Sequence, residues 1–245
     1  MRLERKTAIV TGGGSGFGAG IARKFVAEGA QVFVVDINLK GAEAIAAEIG
    51  GTAIACDVSD KTSVAHLAQT VLSQGPLDIL VNNAGVTHLP GQLEDITEED
   101  FDRVYHVNMK SVFLTAQAFV SHFKEQGAGA ILNVASTAGI SPRPRLNWYN
   151  ASKGWMITAT KAMAVELAPN GIRVNAINPV AGDTPLLKSF MGEDTPEMRA
   201  KFLSTIPIGR FSTPEDMGNA ACFLCSDEAS MITGVAMEVD GGRCI

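Results

Sequence analysis

Between residues 6 and 239, short runs that are apolar almost throughout alternate with stretches of helical spacing. This rhythm restricts the fold more than any single motif does. The runs at 6–10, 31–35, 52–56, 78–81, 130–135, 172–177 and 235–239 read as strands. Helical patterns fill 16–27, 39–49, 61–72, 98–126, 147–167 and 214–224, the fourth long enough to bend near Asn108. A strand with one solvated face alternates apolar and polar residues; these do not, so both faces are covered. Such strands, separated by helices, form a parallel sheet whose right-handed crossovers wind it in both directions. The expected fold is α/β, a doubly wound parallel sheet of about seven strands with helices on both faces. Only 180–207 breaks the rhythm, mixing Gly, Pro, Asp, Met and Phe irregularly. A connection of that length is usually functional, so it is expected to be a substrate lid within one domain spanning 1–245.

The composition agrees. Of 245 residues, 46% are hydrophobic and 19% charged, whereas disordered chains are richer in charge and poorer in apolar side chains. The 20 Lys and Arg against 26 Asp and Glu leave a net charge of −6. That argues against a nucleic-acid partner, because phosphate contacts need clustered cations. No apolar run approaches the roughly 18 residues of a membrane span. The apolar run behind the basic start ends at Gly12, too soon for a secretion signal. Cys56, Cys222, Cys225 and Cys244 show no disulfide spacing, and Cys222 and Cys225 sit in an apolar run that reads as core. A cytoplasmic, reducing setting is expected.

The first strand runs into Thr11-Gly12-Gly13-Gly14-Ser15-Gly16-Phe17-Gly18 and then a helix. Glycines there permit a tight turn and close approach of a pyrophosphate, while the helix N-terminus offers free N–H groups and a positive dipole end. Gly12, Ser15, Gly16, Phe17 and Gly18 are therefore candidate cofactor-binding positions. The second strand ends at Asp36, whose carboxylate can accept both ribose hydroxyls of an adenosine and would repel a 2′-phosphate. Ile37 follows it and Ser15 stands in the turn, so no basic side chain is at hand. NAD is expected as the cofactor rather than NADP.

The spacing Thr-Gly-x-x-x-Gly-x-Gly is not that of the common dinucleotide fingerprint. It resembles the short-chain dehydrogenase/reductase family, with a Rossmann-like fold, and other motifs follow in the family's order across the whole chain. They are Asn82-Asn83-Ala84-Gly85 after the fourth strand, Asn108 in the long helical stretch, Ser136 ending the fifth strand, and Tyr149-Asn150-Ala151-Ser152-Lys153 as Y-x-x-x-K. The resemblance implies that Asp57 and Val58 hold the adenine, that Asn83 borders the cofactor, and that Asn108 anchors a water linking Lys153 to solvent. It also implies that Thr184 holds the nicotinamide carboxamide and that Gly182 supplies a backbone contact. One departure is visible: the family's Pro-Gly is Pro179-Val180 here.

Hydride transfer between a carbinol and a nicotinamide needs a group that takes or gives the hydroxyl proton. Tyr149 and Lys153, four apart on a helix, share a face. An ammonium beside the phenol, with the positive oxidised nicotinamide, would favour the phenolate and bring a group of reference pKa ~10 toward working pH. Lys153 also suits the ribose hydroxyls, and Ser136 suits the substrate oxygen. Asn108, Ser136, Tyr149 and Lys153 form the expected catalytic set. Tyr105, with no lysine four residues on, reads as packing.

The expected activity is NAD-dependent hydride transfer between a secondary alcohol and its ketone. A 3-oxoacyl-carrier-protein reductase is the alternative within enzymes, opposed by Asp36 and by the lack of a basic surface for an acidic carrier. A non-catalytic NAD-binding regulator is the alternative outside them, opposed by the intact proton-relay residues. His88 after the fourth-strand turn reads either as a substrate contact or as an ordinary loop histidine. Arg143 and Arg145 read as partners of a substrate carboxylate or sulfonate or as structural groups. Trp148 reads as pocket wall or interface, and Leu186, Leu187, Phe190 and Met191 as apolar cover. By resemblance the chain forms a homotetramer. Trp155, Met156, Ala159, Ala162, Met163 and Val165 on the Tyr149 helix are consistent with an apolar contact face.

Overall fold

A computed structural model describes residues 1–193 and 195–245. Seven strands make one sheet: β1 Thr7–Thr11, β2 Gln31–Asp36, β3 Thr52–Ala55, β4 Ile79–Asn82, β5 Gly129–Val134, β6 Ile172–Pro179 and β7 Ala236–Val239. Every pairing is parallel, in the order β3-β2-β1-β4-β5-β6-β7. The chain winds outward from β1 to β3, returns to the other side of β1 and winds the opposite way. The crevice between the ends of β1 and β4 is thus the topological switch point, where open α/β sheets bind ligands.

Helices α1 Gly16–Ala27, α2 Leu39–Ile49, α3 Lys61–Leu72, α4 Glu98–Tyr105, α5 Ser111–Gln126 and α6 Asn147–Leu167 cover the sheet, joined by α7 Leu187–Met191, α8 Pro196–Leu203 and α9 Pro214–Cys225. Successive strand residues point to opposite faces. Val10, Val34 and Leu132 pack under α1, α2 and α9 through Phe25, Ile45 and Met217. Ile9, Val35 and Ile131 pack under α3, α5 and α6 through Leu67, Phe119 and Leu167. Both faces are buried, which is why the strands lack alternation.

Strand limits move by one or two residues where a neighbour extends the ladder. β6 runs on to Pro179 because Asn178 and Pro179 lie opposite Glu238 and Val239 of β7. The bend expected near Asn108 is a π-helical turn, His106–Lys110, between α4 and α5. The stretch 180–207 is less irregular than its composition suggests, since it contains α7 and α8. Leu187, Met191 and Phe202 from these helices form a small apolar cluster with Phe190, Met198 and Phe211. All four cysteines are free; Cys222 and Cys225 are buried core residues. Among the described residues no helix is long and apolar enough to cross a membrane.

Candidate active site

A cavity of about 500 Å³ opens at the switch point. Every site residue expected from the sequence lines it except Gly18 and Asn108. Those two act from behind its wall. A Cβ at Gly18 would stand 2.1 Å from the Gly12 carbonyl oxygen, so only glycine lets α1 begin this close to β1. Gly16 opens the helix at φ +52°, a conformation side chains rarely adopt. Ser15 precedes it as N-cap, with its hydroxyl making no capping bond. The first N–H groups of α1 and this hydroxyl therefore face the cavity as anion donors.

Thr11 joins the two strands that frame the crevice. Its hydroxyl donates to the Val81 carbonyl at 3.1 Å and accepts from the N–H groups of Asn83 at 3.0 Å and Ala84 at 3.1 Å. Asn83 answers with its amide, donating to the carbonyls of Thr11 at 2.8 Å and Gly12 at 3.2 Å. Asp36 is held at the end of β2 by the N–H of Gly14 at 3.0 Å and of Asn38 at 2.9 Å, one on each oxygen. Asp57 accepts from the backbone and hydroxyl of Ser59. Asp57 and Val58 line the cavity beside Asp36. A helix N-terminus, a fixed carboxylate and an apolar slot are the donor set an adenine dinucleotide needs, and the residues present fit that group.

The residues expected to handle the proton meet at the opposite strands. Tyr149 is 5% exposed and Lys153 4%. Lys153 Nζ donates to the Val134 carbonyl at 2.9 Å and lies 5.8 Å from the Tyr149 ring centroid. Burial pushes the Tyr149 phenol up to about 12, opposed only by its hydrogen bond with Ser136. Burial lowers Lys153 to about 8. The pull expected on the phenol, from the ammonium together with the positive oxidised nicotinamide, has to work against this desolvation. In so dry a pocket desolvation opposes both charged forms, and the ammonium's nearest partner is a carbonyl. Ser136 Oγ also accepts the Ala138 N–H at 3.1 Å, which orients it.

Asn108, fully buried in the π turn, uses its amide to clamp residue 86. It accepts from the Val86 N–H at 2.8 Å and donates to the Val86 carbonyl at 2.9 Å. Its second amide hydrogen goes to Ser152 Oγ at 3.0 Å, which donates to the Tyr149 carbonyl at 2.7 Å. A Cβ on Gly85 would lie 3.4 Å from both Asn108 Oδ1 and Lys153 Nζ, so the clamp borders the lysine.

Other expectations separate cleanly. Thr184 lies against Gly16, where a Cβ on the glycine would come 3.4 Å from Thr184 Cβ. Gly182 packs so closely on Phe17 that a Cβ would stand 2.3 Å from its Cζ. Val180 is buried without positive φ, so the departure from Pro-Gly costs no backbone strain. Ser212 holds this stretch by donating to the Val180 carbonyl at 3.1 Å and by a bridge to Gly182. No local signal in the sequence pointed to it. Phe190 sets its ring edge on Tyr149 at 5.0 Å between centroids. Arg143 lines the cavity; Arg145 is exposed, with φ +69°. His88 is buried away from the cavity, its Nδ1 2.8 Å from the Leu89 carbonyl. Trp148 packs on Phe101 at 5.3 Å, outside the cavity. Tyr105 is 40% exposed against His106. Met156, expected on an outer face, is core.

A dinucleotide cradle and a Ser-Tyr-Lys group sharing one crevice define an oxidoreductase of the Rossmann-like class. A family model described as enoyl-(acyl carrier protein) reductase matches residues 12–243. A 4-formylbenzenesulfonate dehydrogenase of Comamonas testosteroni is 50% identical, covering 100% of both chains. A D-threitol dehydrogenase of Mycolicibacterium smegmatis is 40% identical over 100% of this chain and 95% of its own. A solved structure described as 3-ketoacyl-(acyl-carrier-protein) reductase from Brucella melitensis complexed with NADH shares 51% identity and a TM-score of 0.95, covering 99% of this chain and 100% of that one. The chain belongs to the short-chain dehydrogenase/reductase family.

Proposed function

We propose that this protein is an NAD-dependent dehydrogenase that interconverts a secondary alcohol and its ketone. The observation that carries the reading is that Ser136, Tyr149 and Lys153 share one cavity with the carboxylate of Asp36. Support comes also from the relatives, whose substrates by name are an aromatic aldehyde and a polyol, alike in bearing a carbonyl or carbinol. Bound NAD supplies the hydride acceptor, and its reduced form the donor. Tyr149 Oη takes the hydroxyl proton during oxidation, Ser136 Oγ hydrogen-bonds the substrate oxygen, and Lys153 holds the ribose. Asn108 is a positioning residue, because both its amide hydrogens are committed to Val86 and Ser152. The stretch 180–207 serves as the lid, with Phe190 excluding water from Tyr149.

A 3-oxoacyl-carrier-protein reductase is the second reading, favoured by the description of the Brucella structure. A panel of secondary alcohols, polyols, hydroxy acids and a 3-hydroxyacyl thioester, followed by NADH absorbance, separates the two. NADH formation from simple alcohols supports the first reading, and formation from the thioester alone would replace it.

Assembly is inferred from exposed apolar side chains on α4, α5 and α6: Phe101, Phe113, Trp148, Trp155 and Val165. A patch of this kind suits contact with another copy. Light scattering is expected to give a mass near four chains, with two as the smaller alternative. A monomer with full activity would reject the assembly.

A further inference from the structure

Arg143 sits on the loop between Ser136 and α6, lines the cavity, and is half-buried. Among the described residues no carboxylate lies within ion-pair distance of it. Its guanidinium lies over the Phe202 ring at 4.2 Å, and one Nη donates to Thr205 Oγ1 at 3.3 Å. Phe202 and Thr205 belong to α8 and the residues just after it, so the cation is stacked between the loop and the proposed lid. Among the described residues the rest of the fork makes no hydrogen bond to protein. A second cation stands near: Arg243 donates to Ser141 at 3.3 Å, and its Nε is buried without a hydrogen-bond partner. Burial lowers the Arg143 pKa and the neighbouring Arg243 lowers it further, yet a guanidinium stays charged at any working pH.

Two adjacent guanidiniums, partly withdrawn from water and lacking a carboxylate, leave positive charge uncompensated. Other guanidiniums of this chain do meet a carboxylate, as at Arg23–Glu48 and Arg210–Asp216, and the half-buried Arg173 is held by three backbone carbonyls. Around Arg143 the wall is apolar, with Leu146, Leu186, Phe190 and Phe202 facing the same space. A planar fork offered to an apolar chamber fits a planar or tetrahedral oxyanion on a hydrophobic scaffold.

We propose that Arg143 is a specificity-determining residue and that the substrate carries a carboxylate or sulfonate on an aromatic or similarly apolar body. The fork binds the anion while Tyr149 and Ser136 address the carbinol. The proposal rests on the dehydrogenase reading for the reacting group, but the anion contact is testable without turnover.

The test is calorimetric titration of the NAD-loaded protein, an arrangement in which ketones cannot be reduced. The probes are 4-acetylbenzenesulfonate, 4-acetylbenzoate and neutral 4-methylacetophenone. At least one anion is expected to bind ~10-fold or more tightly than the neutral ketone, the scale of a charge-assisted hydrogen bond. The tighter anion identifies sulfonate or carboxylate. Arg143→Met should reduce that preference at least ~5-fold, and Arg145→Gln should leave it unchanged. Arg143→Gln, which keeps a donor for Thr205, replaces the Met variant if that one does not fold. A smaller preference in the unmodified protein, one that the Arg143 variants retain, or no binding of any probe overturns the proposal. NADH formation from the matching 1-arylethanols is read separately. Absent turnover with the anion preference intact would sink the dehydrogenase reading and leave the anion site standing.

Discussion

The two halves of the cavity are built from different materials. On the nucleotide side, backbone groups and short polar side chains fix the shape. Thr11 ties β1 to β4 through three hydrogen bonds, Gly18 seats α1 against the turn, and two N–H groups hold Asp36. On the substrate side, the wall is long side chains on a loop and two short helices. Phe190 rests on Tyr149 by a ring edge, and Arg143 on Phe202 by a stacked face. The first half can accept one shape of ligand. The second can be re-specified by exchanging side chains without disturbing a strand. A binding mode common to many proteins and a substrate particular to one can therefore share a fold.

Tyr149 stands where the halves meet and should show the largest effect. Tyr149→Phe keeps the ring against Phe190 and removes the ionisable oxygen. It is expected to cut kcat by ~10²-fold or more, with NADH affinity, read by fluorescence, nearly unchanged. Near-normal turnover would break the division of roles. Asp36 tests the nucleotide half alone. kcat/KM with NAD should exceed that with NADP by at least ~10-fold, and Asp36→Ala should narrow the gap. Equal use of NADP by the unmodified protein would contradict the charge argument.

The smallest effect is on stability, and it sharpens the comparison by weighing what the seam costs the fold. The ordinary pKa of Lys153 is 10.5 and burial lowers it to about 8. Between those values the unfolded chain binds more protons, so this group's contribution to stability rises with pH through that window. Below pH 8 both states are charged and the folded state bears the whole penalty, roughly 3 kcal/mol at 1.36 kcal/mol per unit. Lys153→Met forfeits the bond to Val134 but relieves that penalty. Its Tm at pH 7 is expected to exceed that of the unmodified protein by roughly 5 °C, with the difference shrinking toward pH 10. A lower Tm at pH 7 would show that the ammonium stabilises the fold.

The contrast between the halves also governs how far the sequence could be read. Strand-glycine-helix order and a strand-end carboxylate are local, so the turn at 11–18 and Asp36 were legible. The helices within 180–207 were not, because α7 spans 5 residues and α8 spans 8, too few for periodicity to show. One signal there was readable: Thr195 accepts the Met198 N–H at 3.2 Å as N-cap, with Pro196 opening the helix. Arg143 and Arg145, two residues apart in similar company, could not be distinguished. The left-handed backbone at Arg145 and the ring of Phe202, 59 residues beyond Arg143, are consequences of tertiary structure.

The π turn at His106–Lys110 carries a consequence for how this chain can vary. Each residue added to a regular helix rotates the remainder of that helix by about 100°, and a π turn holds one residue more than the regular path. Asn108 reaches Val86 and Ser152 from inside that surplus. The reach depends on the number of residues between α4 and α5 as much as on the asparagine itself. The number of residues in this segment is therefore a structural constraint in its own right, separate from the identity of any side chain on it. Deleting a single codon there would swing the start of α5 by a quarter-turn and release the loop that borders Lys153.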